Sequence, residues 1–505
     1  MEGDSPKNKE SSVPFLRQCF LTASVCINIM GHGCVIGFSA ILIPSLRKPD
    51  SYIHATPSQE SWIASVIGFA LIFGNIIITG ITGIIGRKKS HLLSTFPLLA
   101  GWFLIVLVSS VNGLILARLL QGISMGILGP LGSIIIAEMT DPKNRGGFLT
   151  CVSLSLSVGV LFCHVLGTFY TWQQCAVMCS FITFIGLVMI IYTPESPPWL
   201  ISKGRYTEAT EVFYWMRGRG DQQEYELENM IIAQKMARKA SYAEENLPLK
   251  TKVKYYFVYL RRCFRKPEFY KPIFIMMVMY SMFQLAGLNV ISSYAMDIIK
   301  EVVGPDANVK LLMIALDIER LACNVIAVFV MRTFNRRTVL FTSGSICVLS
   351  YISKGTYVYA KQHNLLPFEN QWLPITLIAV YMFSITIGLS SVPFAISGEI
   401  FPLEYRGVAG GLSVISLSLN FFVAVKCFPL LTNALGLPLT YYFYGAMVFI
   451  CLLYLYFTLP ETKDRTLQEI EDSLRGIGPS DHKYTEPLNK DGRNGMRRCS
   501  SHIIY

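Results

Sequence analysis

The chain has 505 residues, 52% of them apolar types and only 15% charged, with a formal net charge of +11 at pH 7. At this length a soluble protein would divide into about three domains of roughly 150 residues each, yet the stretches 61–86 and 146–194 contain no Asp, Glu, Lys or Arg. Each is longer than the roughly 20 apolar residues that cross a bilayer, so composition excludes a set of soluble domains and, with them, a basic nucleic-acid-binding domain; the positive excess belongs to loops beside the lipid bilayer.

The N-terminal MEGDSPKNKESSVP is polar, and the apolar run after it lacks a small-residue cleavage site, so no signal peptide is expected and the first span is predicted to stay in the chain. Apolar runs between charges then predict twelve transmembrane helices, over 18–44, 61–86, 91–110, 113–137, 147–168, 172–193, 270–299, 309–331, 338–359, 371–399, 407–431 and 438–459. The expected organisation is a tail over 1–17, a six-helix bundle over 18–197, a hydrophilic segment with short helices over 198–268, a second six-helix bundle over 269–460 and a tail over 461–505. The 13 cysteines are scattered, mostly in apolar spans, with no CxxC pair. Cys175 and Cys179, four apart, read as small residues packed on one helix face, and neither a disulfide framework, a metal nor a cofactor is expected.

Basic residues fall unevenly. Arg87, Lys88 and Lys89, then Lys143 and Arg145, then Arg332, Arg336 and Arg337, with Arg406 and the central segment, lie on one side; the other has Arg47, Lys48, Lys300, Lys310 and Lys361. The richer side is expected to be cytoplasmic, with both termini. Three phrases also recur in order at equivalent helix ends: Gly86-Arg-Lys-Lys and Asn335-Arg-Arg, Glu138 to Gly146 and Glu399 to Gly407, Pro194-Glu-Ser and Pro460-Glu-Thr. This is an internal duplication whose halves enter from the same side. A charge within hydrocarbon costs about 2.5–3.5 kcal/mol, so Glu138, Arg145, Glu399 and Arg406 belong at the interface. There they read either as a gate that closes one face or as topology anchors, and the duplication favours the gate.

PESPPWLISKGR at 194–205, PETKDRTLQEIE at 460–471, GRKK at 86–89 and the two Glu-to-Arg-Gly phrases resemble the sugar porter family of the major facilitator superfamily, over residues 18 to 471. ESWIAS at 60–65, Arg320-Leu321 and FFVAVKCF at 421–428 resemble the insect facilitated trehalose transporters within it. The resemblance implies an all-α membrane protein of twelve transmembrane helices in two six-helix bundles, a central sugar site reached alternately from each side, and short intracellular helices, for which 207–218 and 222–239 are candidates. The reading is a plasma-membrane carrier of a small-molecule sugar, a hexose or a trehalose-like disaccharide; no obligate protein partner is evident, and with no nucleophile–base set or metal cluster in the sequence no enzymatic activity is expected. A carrier of another small solute, or a sensor that binds without transporting, is the alternative.

A sugar site in a membrane needs hydrogen-bond partners for hydroxyls and aromatic surface for the ring. MFQLAGLNVISSYAMD in the seventh span resembles the family's sugar-binding phrase at Gln284, Gly287, Asn289 and Tyr294, with Phe283, Ala286 and Ser293 as departures. Gln284 and Asn289 stand about 140° apart on an ideal helix, so an unwound turn near Gly287 is expected to bring both toward one cavity, and amides bonded to neighbouring helices are the plainer reading. Phe394 replaces a family Trp, Ser153 a family Gln, and Leu417 with Ser418 a family Asn and Trp. Gly388, Pro393 and Gly398 predict a break or kink in the tenth span.

Arg118 matches a family arginine near the cavity, and a snorkelling interface residue is its alternative. Arg118 is counted among the gating residues, toward the extracellular half of the cavity. The first-half lock rests on Arg87, Glu138 and Arg145, with Gly83 where the family has an acid or amide, as Arg332 stands at the equivalent acidic position in the second half. Asp317 and Arg320, three apart, read either as a self-neutralised pair or as placing Arg320 in the cavity. Proton-coupled members carry an acid in the first span where this chain has Ser39, and His32 and His164 have no acidic partner recognisable in sequence, so facilitated transport is expected.

Overall fold

The structure, a computed structural model, describes residues 13–245, 258, 261–304, 307–366, 372–402, 405–463, 465 and 467–475. Residues 1–12 and 476–505 of the predicted tails lie outside the described residues. The first group of long helices is α1 (Val13–Leu46), α2 (Pro57–Ile85), α3 (Arg87–Leu107), α4 (Val111–Met139), α5 (Pro142–Phe169) and α6 (Trp172–Tyr192). Short helices α7 (Pro197–Ser202), α8 (Tyr206–Arg217) and α9 (Asp221–Glu245) follow. The second group opens with one broken span, α10 (Pro267–Leu285) and α11 (Leu288–Val303), and continues with α12 (Val309–Thr333) and α13 (Arg336–Gln362). Next, α14 (Trp372–Ser384) passes through a widened π-helical turn, Ile385–Ser390, into α15 (Ser391–Glu399); α16 (Arg406–Leu435), α17 (Leu437–Thr458) and the short α18 (Leu467–Arg475) complete the described chain.

Ten of these twelve spans are long and apolar enough to cross a membrane. The remaining two, α12 and α13, are long enough at about 1.5 Å per residue to pass a hydrocarbon core of about 30 Å. They carry Asp317, Glu319 and Arg320, and Lys354, in their interiors, and most of these are buried against other helices. Ends are set locally. Thr56 with Gln59 and Thr171 with Gln174 form capping boxes at the starts of α2 and α6. Gly86 ends α2 at φ +96°, and a Cβ there would stand 2.3 Å from the Glu195 carboxylate.

The two groups pack alike: α1 lies along α5 as α10 lies along α16, and α3 along α6 as α13 along α17. That repetition is the duplication read from the phrases, now in three dimensions. Between groups, α1 meets α11, α2 meets α16 and α5 meets α12. Large apolar side chains such as Phe103, Phe181, Phe329 and Phe457 remain exposed on the outside, as a lipid-facing wall requires.

The molecule has a basic end, with Arg87 and Arg336, and an opposite end, with Arg47. From the Arg47 end to the middle, side chains bond across the two bundles: Arg47 to Asp297 at 3.0 Å, Asn75 to Ser418 at 2.9 Å, Asn324 to Ser157 at 2.9 Å, and Lys310 to the Thr168 carbonyl at 3.0 Å. Gly68 of α2 lies so near α16 that a Cβ would meet the Phe422 backbone nitrogen at 2.5 Å. At the basic end, among the described residues, side-chain bonds join each bundle to itself or to the short helices beside it, as Arg217 of α8 bonds Asp141 at 2.8 Å and Lys271 of α10 bonds the Leu474 carbonyl of α18 at 2.7 Å. Gly146 and Gly147 of α5, and Gly407, Gly410 and Gly411 of α16, have nothing within 4 Å of where a Cβ would stand. The bundles are joined toward the Arg47 end, around a cavity of about 910 Å³ lined by both, and among the described residues no side-chain bond joins the two bundles at the basic end.

Candidate functional site

Gly287 breaks the seventh span at φ +87°, ψ 14°. A broken helix leaves carbonyls without partners in a place where water cannot supply them. Here the Tyr381 hydroxyl donates to the Ala286 carbonyl at 2.6 Å, and the Tyr351 hydroxyl lies 3.0 Å from the carbonyls of both Leu285 and Ala286. A Cβ on residue 287 would stand 2.5 Å from the Tyr381 hydroxyl, so glycine meets both the backbone angle and the space. The buried Lys354 ammonium sits 3.1 Å from the centre of the Tyr381 ring, with Tyr351 and Tyr441 at 4.6 and 4.7 Å. The cation holds these rings through their π faces. The space left among Gly287, Lys354 and the tyrosines is about 20 Å³, room for about one water.

The break turns Gln284 and Asn289 toward each other, and the Asn289 amide donates to Gln284 Oε1 at 2.8 Å. That leaves the Gln284 N–H groups and the Asn289 carbonyl oxygen available beside one another, a donor next to an acceptor, which is the pairing a sugar hydroxyl needs. Phe394 of α15 meets Phe283 edge-on at 5.7 Å and is 49% exposed, forming an apolar wall next to Gln284. Ser293 is buried on α11. Ser153 is not brought to this group: it is exposed on α5, and its hydroxyl donates to the Thr150 carbonyl of its own helix at 3.0 Å. The expected kink in the tenth span is the π-helical turn, where Gly388 lets Ser343 of α13 approach.

Asp317 and Arg320 do not form the self-neutralised pair that their spacing suggested. Asp317 reaches across to His164 of α5 at 2.5 Å, while Arg320 donates to Ser292 of α11 at 3.0 Å. His164 therefore has an acidic partner after all, supplied by the other bundle. Arg118 is fully buried at 0% exposure rather than snorkelling, and it bonds Ser39 at 2.5 Å and Gln121 at 3.0 Å. Where an acid would face this arginine, a hydroxyl does.

The repeated phrases build two matching networks. In the first, Arg87 forks onto Glu138 at 2.8 and 2.6 Å, the Ser196 hydroxyl donates to Glu138 at 2.5 Å, and Glu195 accepts from the backbone N–H groups of Arg87 and Lys88. In the second, Arg336 bonds Glu399 at 3.2 Å, Thr462 donates to Glu399 at 2.6 Å, and Glu461 accepts from the N–H groups of Arg336 and Arg337. Burial acts to raise the Glu461 carboxyl, but the N–H groups of Lys463, Arg337, Arg336 and Thr462 outweigh it and hold Glu461 below the ordinary carboxylate range. Arg145 is not part of the Glu138 pair: among the described residues it donates to the Thr140 carbonyl at 3.5 Å, and its buried Nε meets no partner there. Arg406 begins α16, and its side chain lies outside the described residues. At the other end Arg47 grips Glu60 at 2.6 Å and Asp297 at 3.0 Å; the bond to Glu60, and then the charge of Asp297, outweigh burial and raise its basicity above the usual arginine value.

Of the residues that shape the break, sequence reasoning missed Tyr351, Tyr381 and Lys354. Lys354 was the available signal, as the one charged residue in the span 338–359.

Two parallel six-helix bundles, closed on each other at one end around a broken seventh helix, define a membrane carrier of the major facilitator fold. The family described as "Sugar (and other) transporter" matches residues 19–474, and the chain belongs to it. It is 24% identical over 474 residues to a facilitated trehalose transporter of Apis mellifera ligustica, covering 93% of this chain and 90% of that one. It is 25% identical over 448 residues to the one of Drosophila virilis, where the match spans only 47% of the relative's length. An inward-open structure of the xylose transporter XylE from E. coli superimposes with a TM-score of 0.70 at 17% identity, covering 91% of this chain and 99% of that one.

Proposed function

We propose that this protein is a facilitative carrier of a sugar, a hexose or a trehalose-like disaccharide, working by alternating access in the plasma membrane with its basic end and both termini cytoplasmic. The break at Gly287, with Gln284 and Asn289 paired at its edge, carries the substrate reading. Phe394 offers a face for the ring; Ser293 and Arg320 are buried on the helices beside the break, and Ser153 stays outside the group. The named activity of the insect relatives supports this reading. Facilitated rather than proton-driven transport is supported by Ser39, which gives Arg118 a hydroxyl in place of a titratable carboxyl. In this arrangement the cleft is inward-open. In the opposite state Glu138, Arg145, Glu399 and Arg406 form the inner gate, and the unpaired Arg145 Nε is the group free to join it. The edge-on Phe283–Phe394 contact, where relatives offer polar groups, favours a second reading: a less polar organic solute in the same site.

Uptake of labelled mono- and disaccharides into cells expressing the chain tests both. Gln284→Ala and Asn289→Ala are expected to raise the KM for the transported sugar about 3- to 10-fold at unchanged surface abundance, since a lost hydrogen bond is worth about 0.5–1.5 kcal/mol. Unchanged kinetics in both variants would remove these amides from the site, and no uptake of any sugar would favour the other solute.

A further inference from the structure

His164 of α5 and Asp317 of α12 face each other across the seam between bundles, in the half nearer Arg47. The imidazole Nδ1 lies 2.5 Å from Asp317 Oδ2, and Nε2 lies 3.2 Å from the Gly37 carbonyl oxygen of α1. Both side chains are buried. A carbonyl only accepts, and an ionised carboxylate only accepts, so both ring nitrogens must donate. A neutral imidazole has a single N–H. The closed arrangement therefore contains one proton more than a neutral histidine and a carboxylate possess between them.

We propose that the His164–Asp317 pair is a proton-binding site, filled when the Arg47 end closes and emptied when it opens. The proposal rests on the alternating-access reading above. α1 and α5 belong to one bundle, so on opening His164 keeps Gly37, and that bond uses the one N–H of a neutral ring. Asp317 leaves with α12 as a carboxylate and is wetted from the Arg47 side. Closure would then press the Nδ1 lone pair against a carboxylate oxygen unless a proton enters. The balance is imidazole plus carboxylate plus one proton from solution, giving an imidazolium–carboxylate pair, with the same proton returned to the same solution on opening. Sugar movement stays undriven, but the choice between states becomes sensitive to pH.

The charged and ionisable groups on the surrounding elements do not supply this proton. Arg320, one turn along α12, travels with Asp317 and bonds Ser292 of α11. Arg118 of α4 bonds Ser39 of α1. Asp297 of α11 is held by Arg47. Lys310 of α12 bonds the Thr168 carbonyl of α5, His32 of α1 bonds Ser124 of α4, Glu319 of α12 is partly exposed, and Cys34 of α1, Cys163 of α5 and Cys323 of α12 are buried thiols. The added proton lies between Nδ1 and Oδ2, and the proton count is the same whichever of the two atoms carries it.

The test is the ratio of closed to open Arg47 ends, read from distances between labels placed across that end on the purified full chain in lipid nanodiscs, without sugar, from about pH 5 to about pH 8. One proton taken up per closure predicts that the ratio falls by up to about tenfold per pH unit as pH rises. His164→Gln donates an amide N–H without titrating, and Asp317→Asn donates to a neutral Nδ1; each is expected to close the end with a flat pH profile. A flat wild-type profile overturns the proposal whatever the variants do, and so does a wild-type slope that persists in either variant. Because no sugar is present, failure of the uptake panel leaves this result standing, and a flat profile leaves the uptake result standing.

Discussion

The two ends of the molecule spend their charges differently. At the Arg47 end polar side chains reach from one bundle to the other, and each such bond must break if the cleft is to open there. At the basic end the Arg87–Glu138–Ser196 and Arg336–Glu399–Thr462 networks each stay inside one bundle, tying a loop to the helix ends beside it. Bonds of the first kind set the balance between states, because they exist in one state and not the other. Bonds of the second kind set the stability of each bundle. The halves differ as well: Arg87 gives two nitrogens to Glu138, whereas Arg336 gives one to Glu399 and another to the Met331 carbonyl.

The largest effect is expected where a within-bundle network is cut. Glu138→Gln removes the charge from a bidentate pair whose partners are 20% and 19% exposed, and should lower stability by about 2–3 kcal/mol, seen as a drop in Tm of the purified protein. An unchanged Tm with a shifted state ratio would erase the distinction between the ends. A smaller and opposed pair of effects sharpens it. Asn75→Ala removes a bond across the bundles and should favour the outward-open state by about 1 kcal/mol, while Arg145→Ala removes a gate residue of the other state and should favour the inward-open one, both at nearly constant Tm. Labelling of engineered cysteines from either side reads the direction, and a shift of the same sign in both would contradict the assignment. The smallest effect belongs to Arg47→Ala. Arg47 is 48% exposed, so its pair with Asp297 is screened and worth under about 1 kcal/mol; the state shift should fade as salt is raised.

Much of this architecture was legible in the residues themselves. Uncharged runs located the spans, the recurring Glu-to-Arg-Gly phrases located equivalent helix ends, and Gly287 between two amides located the break. α12 and α13 are less apolar than the other spans because their interior charges are taken up by contacts far away in the chain. For the same reason the partners of His164 and Arg320 were unreadable: Asp317 is 153 residues from His164, and spacing along α12 pointed it at Arg320 instead. Glu138 and Arg145 share a phrase, yet they sit on different helices, and Arg87 occupies the position that the phrase seemed to assign to Arg145. Ser153 was drawn from resemblance alone, and a serine is too short to reach from α5 toward the broken helix.

The approach of Gly68 to α16 has a mechanical consequence. Where two bodies that rock pack backbone against backbone along one helix pair, the tight approach moves least and the helix ends move most. Along α2 the arm from Gly68 to Pro57 is 11 residues and the arm to Ile85 is 17, about 16 Å and about 25 Å at helical rise. Any given tilt about that approach therefore swings the basic-end arm about half as far again as the short one.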